Sequence, residues 1–295
     1  MNEIKLFMRK GLFVIKEPFK LQESVMFIER WNSLNRKIVA GFSTRNGGFS
    51  KKPFDSMNLG LHVNDTREDV IRNREKLSEM IGAPLHTWIC AEQIHGDKIA
   101  KVSKEDKGKG STQMETAIKG VDGLYTRDQN TFLFSAYADC VPLYFFAISA
   151  EDIIGVAHAG WRGTAANIGG KMIEKWISDE NIAVEDIVVG IGPSIGKCCY
   201  VVDDYVMEQM AKNLEGTLIN KIYEKVSDGQ YRLDLKAANY EMIRKSGILS
   251  EHIEISNYCT SCHSDLFFSH RKSQGKTGRM LSFIGMKDGG SGFVS

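Results

Sequence analysis

Apolar residues along the chain fall into short runs with two kinds of spacing. "TFLFSAYADCVPLYFFAIS" (131–149) and "DIIGVAHAG" (152–160) are nearly continuous in aromatic and aliphatic residues. That is the pattern of strands buried on both faces. Between 64 and 83, "NDTREDVIRNREKLSEMIGA" instead repeats Val70, Leu77 and Ile81 at helical spacing. Thr66 is placed to cap this helix and Asp69 to complete a capping box. "TAANIGGKMIEKWIS" (164–178) carries Ile168, Met172, Ile173 and Trp176 along one helical face.

The alternation continues downstream. Strands are predicted at 186–192, 231–235, 252–256 and 280–286, with helices at 203–214 and 236–247. Upstream, short apolar runs to about residue 45 read as strands, ending in the turn "RNGG" (45–48). "TWICAEQIHGDKIAKV" (87–102) reads as a strand, an interruption and a second strand. Residues 103–120 are rich in Gly, Lys and Glu and read as a solvated loop within the domain. The sum predicts an α/β fold: a mixed sheet layered with helices in a single compact domain spanning 1–295.

Composition narrows the function. The 295 residues carry 38 Lys plus Arg against 37 Asp plus Glu, so charge alone does not direct the chain to nucleic acid. No run approaches a membrane span. The first twenty residues are broken by Lys and Arg and offer neither a signal-peptide core nor a cleavage site, which predicts a cytoplasmic protein. Six cysteines scattered over a long chain predict reduced thiols, not a disulfide framework.

Candidate chemistry gathers at predicted strand ends. Cys140 follows Asp139 and precedes Pro142, which cannot donate to a sheet ladder and so is expected to interrupt the strand. His158 lies 18 residues on, a separation that two neighbouring strands joined by a short turn can close. A thiol and an imidazole meeting there are a nucleophile with its base, or two ligands of one metal. His95, where "EQIHGDKI" breaks at Gly96, is a third candidate ligand. Arg45, Arg162, Arg271 and Arg279 stand among glycines and hydroxyl residues, including Ser43 and Thr44, a setting that suits an oxyanion.

Two further motifs are set aside. "CTSCH" (259–263) has the form of a haem attachment site, which needs an export signal this sequence does not display. A CxxC zinc site needs a second pair, and the adjacent Cys198 and Cys199 are poorly spaced for it. Cys198 and Cys262 are therefore expected to pack in the core, while Cys199 and Cys259 are left open between pocket and core. "GIGPSIGK" (190–197) fits neither a dinucleotide fingerprint nor a phosphate loop.

In order along the chain, "FSTRNGG", "MNLGLHV", "EQIHGDKI", "VDGLYT", "ADCVPLYF", "VAHAGWRGT", "GIGPSIGKCCYVV", "CTSCHSDLFFSHRKSQGKTGR" and "MLSFIGM" resemble the laccase-domain, or polyphenol-oxidase-like, family. Its members are described as purine nucleoside phosphorylases. The resemblance implies one zinc on His95, Cys140 and His158. It implies phosphorolysis of adenosine, inosine and methylthioadenosine, with adenosine deamination as a further activity; the chain is expected to be a monomer or homodimer. Asp139 is then expected to orient a zinc ligand. Ser43, Thr44 and Arg45 are expected to hold phosphate with Arg162 or Arg271, and Trp161 to form a wall of the site.

Older descriptions of the family invoke copper and polyphenol oxidation, but none of the seven histidines forms the His-x-His pairs of a multicopper centre. Two positions depart from the family pattern: Asn46 stands where histidine is common, and Ser269-His270 precede Arg271 where an aromatic residue is common, which puts base stacking there in question. Two other readings of the same residues remain: a Cys140–His158 amidase acting on a small amide or cell-wall precursor, and a partner protein with a vestigial site.

Overall fold

The computed structural model describes residues 17–35, 37–148, 152–214, 216 and 218–288. The expectations placed on residues 1–16 lie outside this range.

Fifteen strands alternate with seven helices among the described residues. The strands are β1 (Phe19–Gln22), β2 (Val25–Ile28), β3 (Ile38–Ser43), β4 (Trp88–Cys90), β5 (Ile99–Lys101), β6 (Gly123–Thr126), β7 (Thr131–Tyr137), β8 (Val141–Ala147), β9 (Ile154–Ala159), β10 (Ile187–Ile191), β11 (Val201–Val202), β12 (Tyr223–Ser227), β13 (Gln230–Leu233), β14 (Ile253–Ile255) and β15 (Met280–Met286). The helices are α1 (Glu29–Leu34), α2 (Arg67–Ile81), α3 (Trp161–Ala165), α4 (Ile168–Glu180), α5 (Asp204–Ala211), α6 (Ile219–Ile222) and α7 (Leu235–Lys245).

The α/β expectation holds, but the mixed sheet is two. One runs β1-β2-β3-β15-β7-β4 and the other β14-β10-β8-β9-β6-β5, with a small β11-β13-β12 sheet beside them. The inner faces pack on one another: Leu133, Tyr137 and Ile284 from the first sheet share a core with Tyr144, Phe146 and Val156 from the second. On the first sheet's outer face, Phe132, Phe134 and Phe283 meet Leu77 and Ile81 of α2. On the second sheet's outer face, Leu143, Phe145 and Val189 meet Ile173 and Trp176 of α4 and Met242 of α7. The result is a helix, sheet, sheet, helix layering in which both faces of the central strands are buried, as their unbroken apolar runs require.

The run 131–149 therefore hides a change of sheet. The chain leaves β7 in the first sheet, turns through Ala138, Asp139 and Cys140, and enters β8 in the second. Pro142 does not interrupt β8; it lies inside the strand, opposite His158. Its missing donor is harmless because the pairing of β8 with β10 ends at Leu143↔Ile191, while the Pro142 carbonyl still accepts from Gly192 N–H at 2.9 Å.

Thr66 does precede α2, yet its hydroxyl makes no capping bond, and Asp69 pairs with Arg72 instead of closing a capping box. Segment 103–120 is more than a solvated excursion. The buried Arg74 guanidinium donates to the carbonyls of Leu59, Gly110 and Ser111, pinning the segment to α2. Among the described residues no helix is long and apolar enough to cross a membrane.

Candidate metal and substrate site

At the end of the sandwich where β7 passes into β8, a cavity of about 600 Å³ opens onto Cys140, His158 and His95. Cys140 comes from the sheet-crossing turn, His158 from the buried end of β9, and His95 from the loop between β4 and β5. Their ligand atoms all lie within 4.8 Å of one another. The two imidazoles stand edge to face with centroids 4.8 Å apart.

The local backbone is specialised to bring them there. His95 has φ of 60° and Asp139 has φ of 96°, left-handed conformations that side chains rarely adopt and that the surroundings must hold. For the His95 loop the holder is Asp122, fully buried, whose carboxylate accepts from the backbone N–H groups of Ile94, His95 and Gly96 at 3.2, 3.0 and 2.7 Å. Gln93 braces the same loop by exchanging two bonds with the backbone of Ala136, at 2.9 and 2.7 Å.

Asp122 also takes the place expected of Asp139. Its Oδ1 lies 2.8 Å from Nδ1 of His158, so Nε2 is the nitrogen left for the cavity. Asp139 accepts instead from the Thr260 hydroxyl at 2.6 Å and from the Arg271 backbone N–H at 2.7 Å, tying the cavity wall together. Asp122 lies in the segment "VDGLYT" (121–126), but nothing in that pattern marks it as a partner of a histidine 36 residues away.

The electrostatics match a ligand set. Burial opposes ionisation of Cys140, but His158 and His95 outweigh it and lower the thiol to about 6. His158 is raised to about 9 against its burial, by Cys140 and Asp122. The sulfur is thus a thiolate at neutral pH. A thiolate and two imidazoles facing an open cavity suit zinc with a vacant fourth position, and copper also accepts such donors. Gly160 leaves the necessary room, since a Cβ there would sit 3.0 Å from the Cys140 sulfur.

Of the expected phosphate group, Arg162 and Arg271 line the cavity, the first with its guanidinium 4.3 Å from the Trp161 ring centre and the second 4.9 Å from that of Tyr200. Trp161 is itself part of the wall. Ser43 and Arg45 are placed elsewhere. Ser43 is fully buried and accepts from Leu281 N–H, while Thr44 donates to the Ser24 carbonyl. The Arg45 guanidinium donates twice to the Asp55 carbonyl and once to that of Ser264, spanning two loops. Asn46, at the position where the family often has histidine, donates to the Asp265 carbonyl.

Arg279, singled out with the other arginines for its oxyanion-like setting, also lines the cavity, as do His62 and His270, which were given no role in the expected site. Burial, Arg279 and Arg74 push the His62 imidazole down to about 4, so it is neutral at physiological pH. Cys198 and Cys262 do not pack in the core: both are exposed, and they face one another across two turns.

The family described as multi-copper polyphenol oxidoreductase laccase matches residues 39–287. The purine nucleoside phosphorylase YlmD of Geobacillus stearothermophilus is 50% identical over 252 residues, 85% of this chain and 90% of that protein. The purine nucleoside phosphorylase YlmD of Bacillus subtilis is 44% identical over 275 residues, 92% of this chain and 98% of that protein. The crystal structure of the Geobacillus stearothermophilus protein superposes with a TM-score of 0.88, covering 92% of this chain and all of the other.

Proposed function

The chain belongs to the multi-copper polyphenol oxidoreductase laccase family, and on that premise we propose that it is a zinc-dependent purine nucleoside phosphorylase, taking adenosine, inosine or methylthioadenosine with phosphate to a free base and ribose 1-phosphate. The observation that carries the reading is one cavity joining a His-Cys-His ligand set to three arginines and two aromatic walls. The names of the relatives at 50% and 44% identity support the same chemistry.

Phosphate is a dianion that must reach the ribose anomeric carbon, and Arg162, Arg271 and Arg279 supply the positive charge that holds it in the cavity. A phosphate oxygen forms the new bond to that carbon as the bond to the purine nitrogen breaks. The departing base gains the proton that hydrogen phosphate gives up, so the products balance. Tyr200 and Trp161 offer faces for the purine ring. His62, neutral, can donate to the base without adding to the cavity's charge. His95, Cys140 and His158 would hold a zinc ion, which when bound would supply Lewis acidity to the cavity. Adenosine deamination is a further activity of the same cavity in this proposal.

The test is base release from the three nucleosides, with and without phosphate, beside zinc quantification. Phosphate-dependent release that disappears together with one zinc in Cys140→Ser supports the proposal. Absence of release at any phosphate concentration from zinc-loaded protein overturns it, and oxidation of phenols by copper-loaded protein would put the older family activity in its place. The mutual shifts of Cys140 and His158 favour a second reading, a thiolate nucleophile with an imidazolium acid. Rapid alkylation of Cys140 by iodoacetamide in the protein as purified would support that alternative.

A further inference from the structure

Away from the cavity ligands, a second set of potential ligands has no part in the proposed reaction. Cys198 and Cys199 lie in one turn and Cys259 and Cys262 in another, some 60 residues apart in sequence, yet the four sulfurs all lie within 4.8 Å of one another. Cys262 Sγ is 3.5 Å from that of Cys198 and 3.4 Å from that of Cys199. We infer that these four cysteines hold a single zinc ion as a tetrathiolate, independent of the ion proposed for the cavity.

Adjacent cysteines look unsuited to such a site only while each pair is imagined on its own knuckle. Here the two turns are joined by the backbone: Ser194 and Cys259 form a parallel bridge, and Thr260 N–H donates to the Ser194 carbonyl at 3.0 Å. The Cys199 N–H closes its own turn on the Gly196 carbonyl at 2.9 Å, which swings two successive side chains toward one point. Gly196 is needed there, because a Cβ would meet Cβ of Cys259 at 3.2 Å and Sγ of Cys198 at 3.3 Å. Its N–H donates to Cys259 Sγ at 3.2 Å, a bond that favours a thiolate.

The dimensions suit a single tetrahedral ion, for which zinc is the common choice on four thiolates. Zinc–sulfur bonds of about 2.3 Å in a tetrahedron place the sulfurs roughly 3.8 Å apart. The two separations from Cys262, 3.5 and 3.4 Å, are near that size, and no pair among the four exceeds 4.8 Å. A cubane cluster interposes several irons and spreads its cysteines more widely. Four thiolates on a divalent ion leave excess negative charge, and a buried cation stands beside them. Lys236 Nζ donates to the carbonyls of Ser256 at 2.7 Å and of Tyr258, the residue immediately before Cys259, at 2.9 Å; burial pushes its ammonium down, and the charges of Asp234, Glu17, Cys259 and Cys198, in that order, act against the burial.

Such an ion ties together two segments that wall the cavity. Tyr200 follows Cys199 directly. Thr260, inside the Cys259–Cys262 turn, donates to Asp139. Binding displaces the thiol protons and fixes both turns at once.

Zinc per chain, measured on purified full-length protein, should fall by one equivalent in Cys198→Ser and again in Cys262→Ser, each compared with wild type. Cys140→Ser should keep that equivalent, so failure of the phosphorylase reading removes a different ion. Because serine variants can fail to fold, wild-type protein reconstituted with cobalt gives the second measurement: tetrahedral thiolate-to-cobalt bands should persist in Cys140→Ser. Unchanged zinc in both Cys198→Ser and Cys262→Ser, absence of those bands in Cys140→Ser, or a disulfide among the four cysteines of protein purified without reductant would overturn the inference.

Discussion

His158 and Asp122 are joined twice: Nδ1 of the imidazole lies 2.8 Å from Oδ1 of the carboxylate, and the His158 backbone N–H donates to the Asp122 carbonyl at 2.7 Å. The ring is thereby fixed in position and in tautomer, with Nδ1–H facing the carboxylate and Nε2 facing Cys140 and His95. The same carboxylate gathers the backbone of the His95 loop, so one buried residue aligns two of three candidate ligands.

Asp122→Asn keeps the shape and removes the charge. Metal affinity at the cavity, measured by competition with a chelator, is expected to fall about 10- to 100-fold. The zinc proposed for the four cysteines should be unaffected. An unchanged cavity affinity would mean that Asp122 only braces the loop.

The arginines separate by what their guanidinium groups touch. Arg45→Ala strips partners from the carbonyls of Asp55 and Ser264, and should cost about 1–3 kcal/mol of stability in denaturant titrations. The KM for phosphate should stay within about twofold of wild type. Arg271→Ala, which loses one guanidinium bond to the Val201 carbonyl and a half-exposed stacking contact, should do the reverse. An increase in phosphate KM of roughly tenfold or more with little loss of stability is the expected outcome.

Gly160→Ala tests how tightly the ligand set is packed. The added methyl would lie 3.0 Å from Cys140 Sγ and 3.4 Å from His95 Cδ2, so the ligands must shift by tenths of an ångström. Overpacking of this kind costs about 1–3 kcal/mol. Spent on ligand geometry, that is a loss of roughly 5- to 150-fold in cavity metal affinity, with a melting temperature close to wild type for the metal-free protein. A large fall in melting temperature with affinity intact would place the strain in the fold instead.

What the sequence made legible follows from how local each feature is. Cys140 and His158 sit on β8 and β9 or next to them, neighbours in chain and sheet, so their separation alone brought them together as candidates. His95 was visible as a candidate at the break before Gly96, but 45 residues separate it from Cys140, so spacing alone did not tie its loop between β4 and β5 to the other two. Asp122 acts through backbone N–H groups, which leave no residue-type signal. The division into two sheets was hidden because the apolar run from β7 to β8 does not dip where the chain crosses at Asp139. Arg45 misled because an arginine among glycines and hydroxyls looks the same whether it clamps carbonyls or waits for an anion. The four cysteines escaped because their geometry depends on a backbone bridge between turns that are distant in sequence.

A charge cluster sits toward the end of β6 away from His158. Glu180, at the end of α4 and 7% exposed, accepts from Tyr125 Oη at 3.1 Å and Arg127 Nε at 2.8 Å, and pairs with Lys101 Nζ at 2.7 Å. Burial alone would raise its carboxyl, but the bonds from Lys101, Arg127 and Tyr125 outweigh it and hold it below its ordinary 4.5. A carboxylate depressed in the folded state contributes stability that is present above 4.5 and lost as the pH falls through the lower folded value. Glu180→Gln should therefore cost about 1–2 kcal/mol at pH 7, a figure discounted because Lys101 is half exposed. The difference between variant and wild type should shrink steadily below 4.5 and vanish once the wild-type carboxylate is itself protonated. Urea titrations of both proteins across that range test the sign directly: a gap that stays constant with pH would mean that Glu180 acts by its shape and hydrogen bonds and not by its charge.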